Sequence, residues 1–133
     1  MKYKKILLVD DDPDDQMIFK DAFESLEATG NISIAQNGEE AMNLLDKQSR
    51  ENILPELIVL DLNMPKMNGT ETLRNLKQDQ RYNQIPVIIY STSVNPLEKE
   101  KCMELGAYSY IKKPISWKES IDTAQYFLNI STE

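Results

Sequence analysis

Apolar residues in this chain fall into short unbroken runs, separated by longer stretches where they recur every three or four positions. Lys5–Val9 (KILLV) is apolar on both faces, as a central strand of a parallel sheet should be. Asp14–Leu26 carries Ile18, Ala22 and Leu26 at helical spacing and predicts a first helix. Asn31–Ala35 reads as a shorter, more polar second strand. Asn37-Gly38 opens a second helix with Ala41, Leu44 and Leu45 inward, and Gln48–Pro55 is a polar connection. Leu57–Leu60 (LIVL) predicts strand three. Asn68-Gly69 marks a turn before helix three, whose Leu73 and Leu76 face inward. Asp79–Gln84 is a second polar connection, and Pro86 leads into strand four, Val87–Tyr90. Asn95-Pro96 starts helix four and Gly106 ends it. Tyr108–Ile111 is strand five, and Ser116 with Glu119 forms a capping box that opens helix five.

Strands and helices thus alternate along the whole chain. Repeated βα units imply an α/β fold, a doubly wound parallel sheet with helices on both faces, because right-handed crossovers put them there. In such sheets ligands bind beyond the carboxyl ends of the strands, where the strand order reverses.

Bulk properties narrow the function. At 133 residues the chain fits one domain, residues 1–133. Its formal net charge of −7 argues against nucleic acid, which needs a basic footprint, and against an anionic membrane surface. The run Ile6–Val9 is too short for a signal peptide, and no apolar run approaches the roughly 20 residues of a membrane span. Cys102 is the only cysteine, so there is no internal disulfide framework, and its plainest role is packing on a helix. These features point to a reduced, cytoplasmic protein.

The chemistry sits at the strand ends. Asp10, Asp11, Asp12, Asp14 and Asp15 follow the first apolar run, and Asp61 ends the third. Like charges at close range repel, so several carboxylates meeting at one edge call for a shared cation. Asp12 and Pro13 have a structural explanation as N-cap and first helical residue. Asp14 and Asp15 would then lie in the first turn, where the helix dipole favours negative charge. That leaves Asp10 and Asp11 as candidate metal ligands. An EF-hand does not fit: its sixth and twelfth loop positions would be Asp15 and Asp21, not glycine and glutamate, and a strand precedes it.

Asp61, near two other carboxylates and a hard cation such as Mg²⁺, is a candidate nucleophile, since carboxylates form acyl phosphates. Phosphoryl chemistry also needs donors around the equatorial oxygens. Strand four runs into Ser91-Thr92-Ser93 and strand five into Lys112-Lys113-Pro114, which supply hydroxyls and ammonium groups at the same edge. Strand alternation sends Lys112 and Lys113 to opposite faces, and the same holds for Ser91 and Thr92.

The set LLVDDD, LDLNMPKMNG, PVIIYSTS and GAYSYIKKP resembles the receiver domain of two-component response regulators, over about Lys5 to Leu128. In particular it resembles the stand-alone receivers that work with phytochrome-type and related histidine kinases. The resemblance implies a flavodoxin-like fold with strand order 2-1-3-4-5. It implies that Asp61 accepts a phosphoryl group from a sensor histidine kinase or a histidine phosphotransfer protein, in signalling rather than enzymatic turnover. Asp10, Asp11, Asp61 and the backbone carbonyl of Asn63 would hold Mg²⁺, with Asp11 a direct ligand and Asp10 acting mainly through water. Ser91 would hydrogen-bond the phosphoryl group and Lys113 would pair with it. Tyr110 would be the switch aromatic that turns inward, although a tyrosine on an edge strand also serves simply as packing. Lys113-Pro114 would be a cis peptide. The helix-four, strand-five and helix-five face, which includes the charged run Glu98–Lys101, would carry output or pair two copies.

Two other readings compete. A small haloacid-dehalogenase-type phosphatase also begins with a strand and Asp-x-Asp, here Asp10-Asp11-Asp12, but Pro13-Asp14 follows where that family has Thr/Val, and the chain has no cap. A pseudo-receiver scaffold would ignore phosphate altogether; the complete residue set argues against it.

Overall fold

The computed structural model describes residues 4–28, 31–62 and 68–130. Strands and helices alternate in the order β1 (Ile6–Val9), α1 (Pro13–Ser25), β2 (Ile32–Ala35), α2 (Gly38–Arg50), β3 (Leu57–Asp61), α3 (Gly69–Gln78), β4 (Val87–Ser91), α4 (Pro96–Glu104), β5 (Ser109–Lys112) and α5 (Trp117–Asn129). The strands form one parallel sheet in the order β2-β1-β3-β4-β5. This is the flavodoxin-like arrangement expected from the sequence.

The period-two alternation of β1, β3 and β4 builds two cores. Leu7, Val9, Ile58, Leu60, Val87 and Ile89 face one side, against Ala41 and Leu45 of α2, Leu73 and Leu76 of α3 and Cys102 of α4. Ile6, Leu8, Leu57, Val59, Ile88 and Tyr90 face the other, against Phe19 and Phe23 of α1 and Ala124 and Phe127 of α5. Every residue of these three strands is buried. The edge strands β2 and β5 are only partly covered, which is why their sequences are more polar.

Caps set the helix starts. The Asp12 side chain accepts from Asp14 N at 2.8 Å and Asp15 N at 3.4 Å, and Pro13 follows at the first helical position. Such a cap is worth about 0.5–2 kcal/mol. Asn37, Asn68 and Asn95 cap α2, α3 and α4 in the same way. Ser116 accepts from Glu119 N at 3.1 Å, and the Glu119 carboxylate reaches back to Ile115 N at 3.0 Å, one residue before the cap. Gly106, at φ 105°, follows α4 in a conformation that suits glycine.

Several expectations shift by a few residues. β5 runs one residue later than Tyr108–Ile111, β3 extends to Asp61 and β4 to Ser91. α2 takes in Gln48–Arg50, the first part of the polar connection. Within the segment expected to be a polar connection at Asp79–Gln84, Tyr82 is fully buried, and its hydroxyl donates to Asp46 Oδ1 at 2.6 Å.

Candidate functional site

Register brings the strand ends together. Val9 lies beside Leu60, Asp61 beside Tyr90 and Ser91 beside Lys112, so Asp10, Asp61, Ser91 and Lys113 all emerge at one edge. Lys113 N donates to Ser91 O at 2.6 Å and continues that alignment past the end of β5.

Asp10 is fully buried and held from three directions. Its backbone N–H donates to Ala35 O at 3.0 Å, and its carbonyl accepts from Gln16 Nε2 at 2.7 Å. Its carboxylate accepts from Asp12 N at 2.9 Å. Burial pushes the Asp10 carboxyl above the ordinary range, against the pull of the Asp12 N–H and of Lys113. Asp61 is buried at the end of β3, and Asp11 is exposed. One carboxylate oxygen from each of Asp10, Asp11 and Asp61 lies within 4.8 Å of the others. Opposite ligands of a Mg²⁺ ion are about 4.2 Å apart, so modest side-chain rotation would close this group around one. An all-oxygen, carboxylate-rich donor set suits a hard divalent cation.

Lys113 sits over these carboxylates. Its Nζ is 2.8 Å from Asp15 Oδ2, 3.0 Å from Asp10 Oδ2 and 3.4 Å from Asp61 Oδ2. It also lies 5.8 Å from the centre of the Tyr90 ring, a cation–π contact. Burial alone would lower its pKa, but the hydrogen bonds it donates to Asp15 and then Asp10 outweigh that and raise it. Lys112 is exposed.

Ser91 is buried. Its Oγ donates to Ser93 O at 2.9 Å and accepts from Ser93 N at 3.4 Å, while Thr92 is exposed. Tyr110 is buried, and its hydroxyl lies 2.6 Å from Glu98 Oε1 and 3.2 Å from Ser93 O. Asn63 lies outside the described residues. The Lys113–Pro114 peptide is trans rather than the expected cis, since no cis peptide occurs among the described residues; trans is the default geometry even before proline.

Two residues at this edge escape a reading of the sequence. Asp15 looks like a dipole-favoured helix residue, yet of the three carboxylates around the Lys113 ammonium it lies nearest. Its signal is positional: with Asp12 as N-cap, Asp15 is the third helical residue, where side chains reach back past the helix start. Glu98 looks like part of a solvated charged run, yet it accepts from Tyr110. No local pattern marks it.

Comparison with known proteins agrees with this arrangement. The family described as the response regulator receiver domain matches residues 6–125. The transcriptional regulatory protein CpxR of Escherichia coli K12 is 39% identical over 118 residues, 88% of this chain and 46% of CpxR. The chain therefore spans about half the length of that relative. The polar-differentiation response regulator DivK of Brucella anthropi is 32% identical over 126 residues, covering 94% of this chain and 96% of DivK. Among solved structures, the phosphorylated cyanobacterial phytochrome response regulator RcpA has TM-score 0.85 and 30% identity, covering 95% of this chain and 91% of RcpA. The Mn²⁺-bound form of response regulator Rcp1 has TM-score 0.81 and 31% identity, covering 96% of each chain. These likenesses favour neither the phosphatase nor the scaffold reading.

Proposed function

The chain belongs to the response regulator receiver family, and from that premise we propose that Asp61 accepts a phosphoryl group from a phosphohistidine on a sensor histidine kinase or histidine phosphotransfer protein. The observation that carries this is the convergence on Asp61 of Asp10, Asp11 and the Lys113 ammonium. An Asp61 carboxylate oxygen attacks phosphorus as the P–N bond breaks. The departing imidazole nitrogen keeps the bonding pair and takes up a proton.

Asp10, Asp11, Asp61 and the Asn63 carbonyl would hold Mg²⁺, which when bound offsets the charge of the phosphoryl oxygens and the carboxylates together. Lys113 supplies a further positive charge beside the same group. Ser91 Oγ turns from the Ser93 carbonyl to a phosphoryl oxygen. The added charge of about −1.5 to −2 favours a minor conformer in which the β4–α4 loop closes, so the output is a population shift. We assign partner binding, including pairing of two copies, to the α4-β5-α5 face, where Leu97 and Trp117 are exposed.

We take residues 1–133 as one receiver domain that signals without turnover of its own. The acidic balance weighs against nucleic acid and membrane partners. No helix among the described residues is long and apolar enough to cross a membrane. A single, buried cysteine fits a cytoplasmic setting.

Incubation with acetyl phosphate and Mg²⁺ tests the assignment. The intact mass should rise by one phosphoryl group in the parent protein and not in Asp61→Asn. A gain that survives Asp61→Asn defeats it.

A further inference from the structure

Resting on the phosphoacceptor reading above, we propose that Asp15 is a positioning residue: it holds Lys113 in a resting place and competes with the phosphoryl group on Asp61 for its ammonium. Nζ is 2.8 Å from Asp15 and 3.4 Å from Asp61. The first is a good charge-assisted hydrogen bond; the second exceeds the usual range. An ammonium has three donors. In the resting protein they are directed chiefly at Asp15 and Asp10. Nζ lies beyond good hydrogen-bond range of Asp61, so closing on a phosphoryl group there draws the ammonium toward β3 and loosens its contact with α1.

Asp15 differs from the other carboxylates around the lysine. It is not among the three whose oxygens lie close enough together to share a cation. A cation held among Asp10, Asp11 and Asp61 would weaken their hold on Lys113 and leave Asp15 at full charge. The restraint is therefore strongest in the state that is ready to react. It is also releasable: the Asp15 side chain is 33% exposed, so water replaces the lysine when it leaves, whereas Asp10 has no such access. The contact joins the first turn of α1 to the residue after β5, so its opening also alters how those two elements meet.

The test compares Asp15→Asn with the parent at saturating Mg²⁺ and fixed acetyl phosphate, reading the phosphorylated-to-unphosphorylated ratio by intact mass. Loss of a competing ionic contact should raise that ratio about three-fold or more. Asp15→Glu, which restores the carboxylate, should return it toward the parent value. Asp14→Asn removes the same charge from an exposed neighbour on the same turn and should leave the ratio unchanged. An unchanged or lower ratio in Asp15→Asn overturns the inference, as does an equal rise in Asp14→Asn, which would mean a general field effect. These failures differ from a parent protein that gains no phosphoryl mass, which overturns the phosphoacceptor reading and this inference with it.

Discussion

Ser91 and Tyr110 converge on one acceptor, the backbone carbonyl of Ser93, with hydroxyl-to-carbonyl distances of 2.9 and 3.2 Å. The tyrosine has a single proton and a shorter contact, 2.6 Å, to Glu98. Ser91 therefore supplies most of the Ser93 bond, with Tyr110 poised beside it. Any turn of Ser91 toward Asp61 frees that carbonyl for Tyr110. The two side chains should be energetically coupled. A urea-denaturation cycle of Ser91→Ala, Tyr110→Phe and the double variant should give a coupling of at least about 0.5 kcal/mol. Simple additivity would separate them.

Gly69 is held to glycine by crowding. A Cβ there would lie 2.5 Å from Asp61 O and 2.5 Å from Leu62 Cα, both backbone atoms that cannot step aside. Gly69→Ala should cost about 1–3 kcal/mol, the usual penalty of overpacking. Because the displaced atoms belong to Asp61 and its neighbour, the same variant should slow phosphorylation by acetyl phosphate. Full activity in a variant of parental stability would show that the helix start can move freely.

Mg²⁺ should stabilise the fold. A ligand that binds only the native state at ten times its Kd adds about 1.4 kcal/mol. The melting temperature should climb with Mg²⁺ concentration in the parent. It should be flat in Asp11→Ala, whose exposed side chain costs little to remove. Equal Mg²⁺ responses in the two proteins would place the cation elsewhere.

Alkaline pH should destabilise the protein in a way traceable to its phenols. Burial raises the pKa of Tyr82, Tyr90 and Tyr110, and the Asp46 and Glu98 carboxylates raise Tyr82 and Tyr110 further. An acid whose native pKa lies above its unfolded value keeps its proton in the native state after the unfolded chain has lost it. Stability is then unaffected below pH about 10 and falls as pH rises beyond it. Denaturation midpoints measured on both sides of that value should show the decline, and Tyr82→Phe should make it shallower. An unchanged slope in Tyr82→Phe would mean that its phenol titrates as in the unfolded chain.

Much of the fold is legible in the chain because burial on both faces leaves β1, β3 and β4 no choice but unbroken apolar runs. The caps are equally plain, since Asp12-Pro13 and Asn95-Pro96 act on backbone groups only a few residues away. The partial cover of β5 is why its ends are harder to fix: Tyr108 and Ser109 are both acceptable at an edge. Tyr82 shows the same limit, because a single aromatic in a polar segment carries no periodicity.

By itself, then, the sequence determined that carboxylates, hydroxyls and a lysine would leave the sheet at one edge, because every strand of a parallel βα fold ends on the same side. Tertiary structure alone decided which of them meet. Lys113 finds Asp15 from 98 residues away, and Gly69 is fixed by the Asp61 backbone it approaches rather than by a turn. Glu98 turns to Tyr110 rather than remaining a solvated charge. Such contacts depend on how helices settle on the sheet, a packing outcome spread over both cores that no local run of residues encodes.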